Sequence, residues 1–211
     1  MSWRGGADYQ LTSSTLLYAN VSRGYKAGSF PSLAASSFKA LEPVTQEYVT
    51  SYEAGFKTRF FDRKASVEGA IFYDDYRNKQ IRGKIADPIF GALDALVNIP
   101  KSTIKGAELN LTAHPVHGFT FTGGITYLDS EVKQYSGTNA LGQQNFDAAG
   151  DPLPFTPKWA GSTDFEYRFD TSHGQPYVGL TVRAQTSQDA ELSAQRLDYS
   201  GPGTIIACLS G

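Results

Sequence analysis

Apolar and polar residues alternate with a two-residue period in several segments of this chain. In residues 107–113 the odd positions are Ala107, Leu109, Leu111 and Ala113, whereas the even positions are polar. The same period recurs in residues 50–60, 119–127 and 159–169. Successive side chains of a β-strand point to opposite faces, so each segment has one apolar and one polar face. The pattern predicts strands here, with further strands at 15–26, 65–80 and 176–185.

The predicted strands are joined by connections of two kinds. Short connections at 61–64, 114–118 and 170–175 contain turn-forming residues. Long connections at 28–46, 82–103 and 133–157 are rich in Gly, Pro, Ser, Asn and Asp. The two kinds alternate along the chain, so all long connections lie at one end of the predicted sheet. Transmembrane β-barrels have this arrangement, whereas connections longer than about 12–15 residues are uncommon in compact domains.

The polar faces of the predicted strands carry many charged side chains. Burying such charges unpaired in a dry core would be prohibitive, but a wide, wet lumen keeps them hydrated or paired across strands. This favours a large barrel, because an eight-stranded barrel has room only for its own side chains or a small ligand. The solvated side of a soluble sheet would also accept them. The charged positions are Glu53, Lys57, Arg59, Glu68, Asp74, Glu108, Asp164, Glu166 and Arg168.

Aromatic residues, 13% of the chain, gather near the predicted strand ends. Transmembrane barrels carry aromatic girdles at both membrane interfaces, so the sequence predicts two belts. The belt beside the short connections would contain Phe60, Phe61, Phe119, Phe121, Phe169 and Tyr177. The belt toward the long connections would contain Tyr25, Tyr48, Tyr52, Tyr73, Tyr76, Tyr127 and Trp159.

Composition and charge exclude several classes of protein. No stretch of the 211 residues approaches the roughly 18 apolar residues that a membrane-spanning helix needs. A net charge of −2 argues against a nucleic-acid partner, which calls for a basic face. Cys208 is the single cysteine and cannot form an internal disulfide. The first residues show no apolar segment typical of a signal peptide.

Several segments resemble the barrel strands of TonB-dependent outer-membrane receptors. Their order and spacing match across roughly residues 15–170, and together they are specific to that family. The segments are LYANVSRGYKAG at 17–28, VTSYEAGFK at 49–57, FYDDYRNKQ at 72–80, IKGAE at 104–108, GGITYLD at 123–129 and LPFTPKW at 153–159.

This resemblance implies an all-β fold, an antiparallel up-and-down transmembrane barrel of roughly 22 strands, of which this chain would supply about seven. It further implies the outer membrane of a Gram-negative bacterium, contact with membrane lipid, and uptake of a scarce ligand. That ligand would be a ferric siderophore or a similar complex, or else haem, cobalamin or a sugar. Energy would come from the TonB complex pulling on a plug domain.

The chain departs from the family pattern at both ends. Neither a plug domain nor the family's aromatic C-terminal strand is recognisable in residues 1–211. We therefore expect a barrel fragment that does not transport alone, because its open sheet edges remain unpaired.

Residues that could carry chemistry are few. Nucleophile-elbow, phosphate-loop and EF-hand patterns are absent from the sequence, so we expect no enzyme, cofactor or resident metal. His114, His117 and His173 lie in short connections without a further ligand at metal spacing. Under the family interpretation, aromatic residues of the long connections would stack on a catecholate, haem or sugar, or else pack within their own loops. The candidates are Tyr25, Phe30, Phe38, Tyr135 and Phe146.

Two other interpretations stay open at the level of sequence. A soluble β-sandwich, ligand-binding or adhesin-like, would bury the row that contains Phe165 and Tyr167 between two sheets. A small closed barrel with hydrolase activity would need a Ser/His/Asp constellation on neighbouring strands, and the histidines lie at the wrong end of the sheet for it.

Overall fold

Strands account for all the regular secondary structure of the described chain. The computed structural model describes residues 1–30, 42–139, 143–172, 174–192 and 205–210. Within those ranges, no helix has the length and apolar character required to cross a membrane. The strands are β1 (Trp3–Thr12), β2 (Thr15–Lys26), β3 (Glu47–Phe60), β4 (Ala65–Asp87), β5 (Gly91–Ala113), β6 (Phe119–Gln134), β7 (Ser136–Gly137), β8 (Phe146–Asp147), β9 (Trp159–Arg168), β10 (Tyr177–Gln185) and β11 (Ile205–Ser210).

Nine of these strands form a single antiparallel sheet in the order β1-β2-β3-β4-β5-β6-β9-β10-β11. Each strand pairs with the next one along the sheet, and β7 and β8 form a separate two-stranded pair within the β6–β9 connection. The predicted all-β, antiparallel up-and-down fold is confirmed. In the part of the chain that is described, β1 and β11 are the two edges and do not pair with each other, so the sheet is a partial, open barrel.

The sheet contains more strands than the roughly seven predicted, because β1 and β11 were not anticipated. β1 pairs with β2 through a tight turn, with Trp3 opposite Arg23 and Tyr9 opposite Leu17. Its sequence does alternate, since Trp3, Ala7 and Tyr9 occupy odd positions between polar residues and glycines.

The prediction of a long connection at residues 82–103 is wrong. β4 and β5 continue through this segment as one hairpin that turns between Asp87 and Gly91. The Oδ1 atom of Asp87 accepts hydrogen bonds from the backbone N–H groups of Ile89 (2.9 Å) and Phe90 (3.0 Å). Gly91 follows with a φ of 76°, a conformation that glycine adopts without steric cost. Asx-type hydrogen bonding therefore closes the hairpin where a loop was expected.

One irregularity interrupts this hairpin. Asn78 has a φ of 52°, and neither it nor Pro100 opposite has a ladder partner. Proline has no N–H to donate, while the backbone oxygen of Asn78 accepts a hydrogen bond from Asn98 Nδ2 (2.7 Å). In a regular strand, residues five positions apart point to opposite faces. Because of the break, Ile99 and Ile104 instead pack into the same cluster.

The two faces of the sheet differ in chemistry, as the alternation predicts. Cross-strand register aligns Leu17, Phe56, Gly69, Leu109 and Ile125 in one row. We call this side the apolar face and the opposite side, which bears Lys57 and Glu68, the polar face. Large side chains of the apolar face are exposed, including Ile71 (65%), Leu109 (46%) and Ile125 (47%).

No second layer of the described chain packs against the apolar face. Phe165 and Tyr167, which a sandwich would bury, remain 36% and 39% exposed. The soluble-sandwich interpretation is therefore not supported by the structure.

Aromatic rings form rows near both ends of the apolar face. Toward the long connections, Tyr52 packs with Tyr73 (ring centroids 6.4 Å apart) and Tyr127 with Trp159 (4.8 Å). We call these residues the upper aromatic row. Tyr76 was predicted to belong here but lies on the polar face, because it occupies the alternate register of β4 and its ring lies beneath Lys79 Nζ at 3.9 Å.

A lower row contains Phe121 against Phe165 (5.0 Å) and Tyr167 against Phe169 (4.7 Å). From Phe119 to Tyr127 the strand rises about 26 Å at about 3.3 Å per residue. A tilt of about 40°, usual in barrels, reduces this to about 20 Å, comparable to the apolar band of about 25 Å that crosses an outer membrane.

The buried core lies at the long-connection end of the sheet. Ile99, Val132, Ala148 and Leu153 are at most 1% exposed and pack with Tyr135 and Leu192. The core is formed where the connection between β6 and β9 folds back onto the upper strands.

Candidate functional site

Charged side chains of the polar face pair across and along strands. Lys57 Nζ lies 3.2 Å from Glu68 Oε2 of the neighbouring strand, and both side chains are about half exposed. Arg168 Nε lies 2.6 Å from Glu166 Oε1 on the same strand. Thr181 Oγ1 donates a hydrogen bond to Asp164 Oδ2 (2.5 Å). The polar face thus carries solvent-exposed charges, several of them paired, and is not a dry core.

A cleft of about 590 Å³ opens on the polar face across β5, β6, β9 and β10. Gly124 and Gly161 contribute no side chain there, and a Cβ on Gly124 would approach Asn110 Oδ1 at 2.6 Å. Arg183 and Gln185 supply polar groups at its upper side. This cleft offers hydrogen-bonding groups and a cation to a molecule bound at the polar face.

A second cleft, of about 350 Å³, lies at the long-connection end. Lys84 Nζ lies 2.6 Å from Asp94 Oδ1 across the β4–β5 hairpin. The hydrogen bond between them raises the pKa of Lys84 and lowers the pKa of Asp94, so both groups are charged at neutral pH. The lining combines these charges with aromatic and aliphatic surface: Ile81, Arg82, Lys84, Asp94, Tyr135, Thr138, Phe155, Glu191 and Leu192.

The β6–β9 connection is docked next to this cleft by specific hydrogen bonds. Ser130 Oγ accepts a hydrogen bond from the backbone N–H of Leu153 (3.0 Å) and lies 2.6 Å from Thr156 Oγ1. The backbone N–H of Val132 donates to the oxygen of Asp151 (2.8 Å). The connection therefore forms part of a folded end rather than a loose loop.

Asp151 is electrostatically unusual within this connection. Burial raises the pKa of its carboxyl group, and Asp189 and Asp147 raise it further. Its Oδ2 atom is buried and accepts no hydrogen bond from the described residues. Within the described ranges, no group of three or more His, Cys, Asp or Glu residues is arranged to hold a metal ion.

The predicted ligand contacts do not form one group. Tyr135 is 7% exposed and belongs to the buried cluster, with Phe146 packed against it. Tyr25 lies on the apolar face and packs with Tyr48 at 5.8 Å. Phe30 is 70% exposed, whereas Phe38 falls outside the described residues. Their role as ligand contacts stays a prediction.

Sequence reasoning missed the charged wall of the cleft. Arg82, Lys84 and Asp94 lie in the segment that was predicted to be a loop. The signal that could have found them is the Asp-Pro pair at 87–88 and Gly91, which together specify a turn between two alternating segments.

The short-connection end carries the histidines. His117 Nε2 lies 2.5 Å from Asp170 Oδ2, and this contact joins two neighbouring turns. The hydrogen bond lowers the pKa of the Asp170 carboxyl group. His114 Nδ1 lies 3.2 Å from Thr120 Oγ1. His173 lies outside the described residues.

Comparison with protein families gives a match over nearly the whole chain. A family described as "TonB dependent receptor-like, beta-barrel" matches residues 1–204. A curated relative, the "Probable TonB-dependent siderophore receptor PiuA" of Acinetobacter baumannii, is 26% identical over 127 residues. That match covers 59% of this chain and 16% of the relative.

Solved structures show the same fold. The ferric yersiniabactin uptake receptor FyuA of Yersinia pestis superposes with a TM-score of 0.68 at 19% identity, covering 98% of this chain and 28% of that one. PiuA of Acinetobacter baumannii gives a TM-score of 0.62 at 20% identity, covering 88% and 26%. The copper transporter OprC gives 0.65 at 14% identity, covering 97% and 30%. This chain thus spans less than a third of the length of these proteins.

Proposed function

Because the chain belongs to the TonB-dependent receptor-like β-barrel family, we propose that it forms part of an outer-membrane barrel that takes up a scarce ligand of the ferric siderophore class. The observation that carries this proposal is the two-faced sheet. Its apolar face is exposed between two aromatic rows, while its polar face bears paired charges. In a membrane, lipid contacts the first face and a water-filled lumen contacts the second.

The open edges of the sheet support a role as one sector of a larger barrel. β1 and β11 present unpaired backbone groups in the described structure, and such groups are not tolerated in lipid. Further strands would have to complete the barrel, and a plug domain would connect it to the TonB complex. We propose that this sector alone does not transport.

The ligand class is inferred from the named relatives and from the upper cleft. PiuA is described as a siderophore receptor and FyuA as a ferric yersiniabactin uptake receptor. OprC is described as a copper transporter, so the fold alone does not decide the ligand. Arg82 in the cleft suits an anionic complex. Of the aromatic candidates that the structure describes, Phe30 has the most accessible ring, and it would stack on a flat ligand.

No enzymatic function is proposed. The relatives named above are described as receptors and transporters, which fits a protein without catalytic activity. We likewise propose no nucleic-acid partner.

Uptake of radioactive iron tests this function. A strain that lacks the gene for the full-length protein is supplied with ⁵⁵Fe bound to catecholate, hydroxamate or phenolate siderophores, with and without TonB. We expect one class to be imported only when both the protein and TonB are present. Import that is indifferent to TonB, or absent for every class while the protein is present in the membrane, would contradict the proposal.

A pair of phenylalanine variants tests the stacking contact. Phe30→Ala should weaken ligand binding by about twofold to tenfold, the range expected for one lost aromatic contact. Phe61→Ala is the matched control, since Phe61 is also highly exposed (80%) but lies in the turn after β3, at the opposite end of the sheet. Equal effects of both substitutions in a binding titration would remove Phe30 from the site.

A further inference from the structure

Cationic side chains stand on the apolar face immediately beyond the upper aromatic row. Val21, Tyr52 and Tyr73 are aligned in register, and the next row toward the long connections contains Arg23, Thr50 and Asp75. The row after that contains Tyr25, Tyr48, Arg77 and Lys101. On β2 and β4 the face therefore changes from an apolar or aromatic residue to a charged one within a single row.

Arg23 is held in position by its neighbours. Its Nε donates a hydrogen bond to Thr50 Oγ1 (2.9 Å), and its guanidinium carbon lies 5.0 Å from the centre of the Tyr48 ring. Tyr25 packs against the same ring. Arg23 forms no ion pair with any described residue, so its terminal nitrogens keep their capacity to bind an anion.

Arg77 and Lys101 extend this cationic group on β4 and β5. They are direct cross-strand partners, a position in which like charges repel and favour an anion between them. Arg77 Nη2 contacts Asp75 Oδ2 at 3.1 Å, whereas Lys101 has no ion pair in the described structure. Other cations nearby are matched by carboxylates, in the pairs Lys105–Asp129 (3.0 Å) and Lys133–Glu131 (2.5 Å).

Cations therefore outnumber carboxylates at this level of the apolar face. In the two rows beyond the upper aromatic row, the cations are Arg23, Arg77 and Lys101, and the carboxylates are Asp75 and Glu131.

The position of this excess of positive charge indicates which anion balances it. Aromatic girdles lie at the boundary between hydrocarbon and headgroups, so side chains one or two rows beyond it face the headgroup layer. Guanidinium and ammonium groups bind phosphate through charge-assisted hydrogen bonds. We propose that Arg23, Arg77 and Lys101, with the Tyr48 ring as a platform, bind the phosphate headgroup of a membrane lipid. This inference rests on the membrane placement in the proposed function and is independent of the imported ligand.

Lipid binding by the full-length protein in non-ionic detergent tests the proposal. Native mass spectrometry follows the retention of dioctanoyl phosphatidic acid, with dioctanoyl phosphatidylcholine and inorganic phosphate in parallel arms. The double variant Arg23→Gln/Lys101→Gln removes the two cations that have no carboxylate partner. Each basic residue near an anionic lipid surface contributes about fivefold in affinity. The double variant should therefore bind phosphatidic acid about 25-fold more weakly than the wild type.

A matched arginine provides the control. Arg4 lies opposite Ser22, one residue from the Trp3–Arg23 pair, and so stands at the same height on the polar face. Arg4→Gln should leave phosphatidic acid binding unchanged, and unchanged far-ultraviolet circular dichroism should show that every variant is folded.

The outcomes separate this proposal from the transport function. Equal retention by the wild type and the double variant would overturn the lipid site, as would an equal loss in Arg4→Gln. Displacement of the lipid by millimolar inorganic phosphate would assign the site to a soluble anion instead. If the wild-type protein binds phosphatidic acid but no strain shows TonB-dependent ⁵⁵Fe uptake, the transport proposal is refuted and the lipid site stands.

Discussion

At the scale of single residues, aromatic rings cover glycines of neighbouring strands. A Cβ built on Gly55 would approach the ring of Tyr18 at 2.7 Å, and one on Gly69 would approach the Phe56 ring at 2.6 Å. Glycine in a strand interior has no side chain to pack and weakens the strand, and an aromatic ring laid over it supplies the missing contact. These contacts fix the direction of the large side chains on both faces.

The close packing around Gly55 is testable with a pair of glycine variants. A Cβ on Gly55 would lie 2.5 Å from the backbone oxygen of Gly69 as well as 2.7 Å from the Tyr18 ring. Gly55→Ala should therefore destabilise the sheet by about 1–3 kcal/mol, the usual cost of forcing an extra group into a packed contact. Gly5→Ala is the control, because a Cβ at Gly5 has nothing within 4 Å. The measurement is the free energy of unfolding of the full-length protein in detergent. A loss of stability in Gly5→Ala as large as that in Gly55→Ala would show that close packing around Gly55 is not the cause.

At the scale of elements, the β6–β9 connection and the β4–β5 hairpin form one folded unit. Ile99 of β5, which is fully buried, packs with Val132 of β6 and Leu153 of the connection. The irregularity at Asn78 and Pro100 sets this packing, because regular alternation would direct Ile99 and Ile104 to opposite faces.

Ile99→Ala should release this connection while leaving the barrel strands paired. Removing a buried isoleucine costs about 2–5 kcal/mol. Amide hydrogen exchange at Val132 and Ala148, whose N–H groups hold the connection, should accelerate accordingly. Val116→Ala is the control, since Val116 is 62% exposed in a short turn. Unchanged protection at both amides in Ile99→Ala would contradict the docking of this connection.

At the scale of the whole molecule, the environment of the apolar face decides the class of protein. Exposed isoleucine, leucine and phenylalanine over many strands would promote aggregation in water, but they suit contact with hydrocarbon. In a bilayer, a lysine placed on this face should therefore lower the stability of the folded protein much more than a lysine placed at a loop tip.

Two isoleucines provide this comparison. Ile125→Lys introduces a charge between the two aromatic rows of the apolar face, where Ile125 is 47% exposed, and should destabilise the folded protein in a bilayer by about 2–4 kcal/mol. Ile89→Lys, in the β4–β5 turn where Ile89 is 83% exposed, should change stability by less than about 0.5 kcal/mol. Urea unfolding of the full-length protein in phosphatidylcholine vesicles measures both. An equally small effect at Ile125 would place the apolar face in water.

The sequence by itself determined seven of the nine strands of the sheet and their two faces, because a two-residue period leaves each side chain only one of two directions. Lys57 and Glu68 could thus be assigned to the polar face, and Phe56 and Leu109 to the other, before any pairing was known. Motif order likewise identified the family, which the match over residues 1–204 confirms.

Only the tertiary structure decided which strands continue beyond the aromatic rows and what the upper end contains. Proline and glycine at 88, 91 and 100 are typical of loops, yet cross-strand hydrogen bonds carry the hairpin past Pro100. The burial of Tyr135 depends on Ile99 and Leu153, residues distant in sequence that alternation cannot bring together. Periodicity is a local property of the chain, whereas a cleft or a charge cluster depends on register between strands.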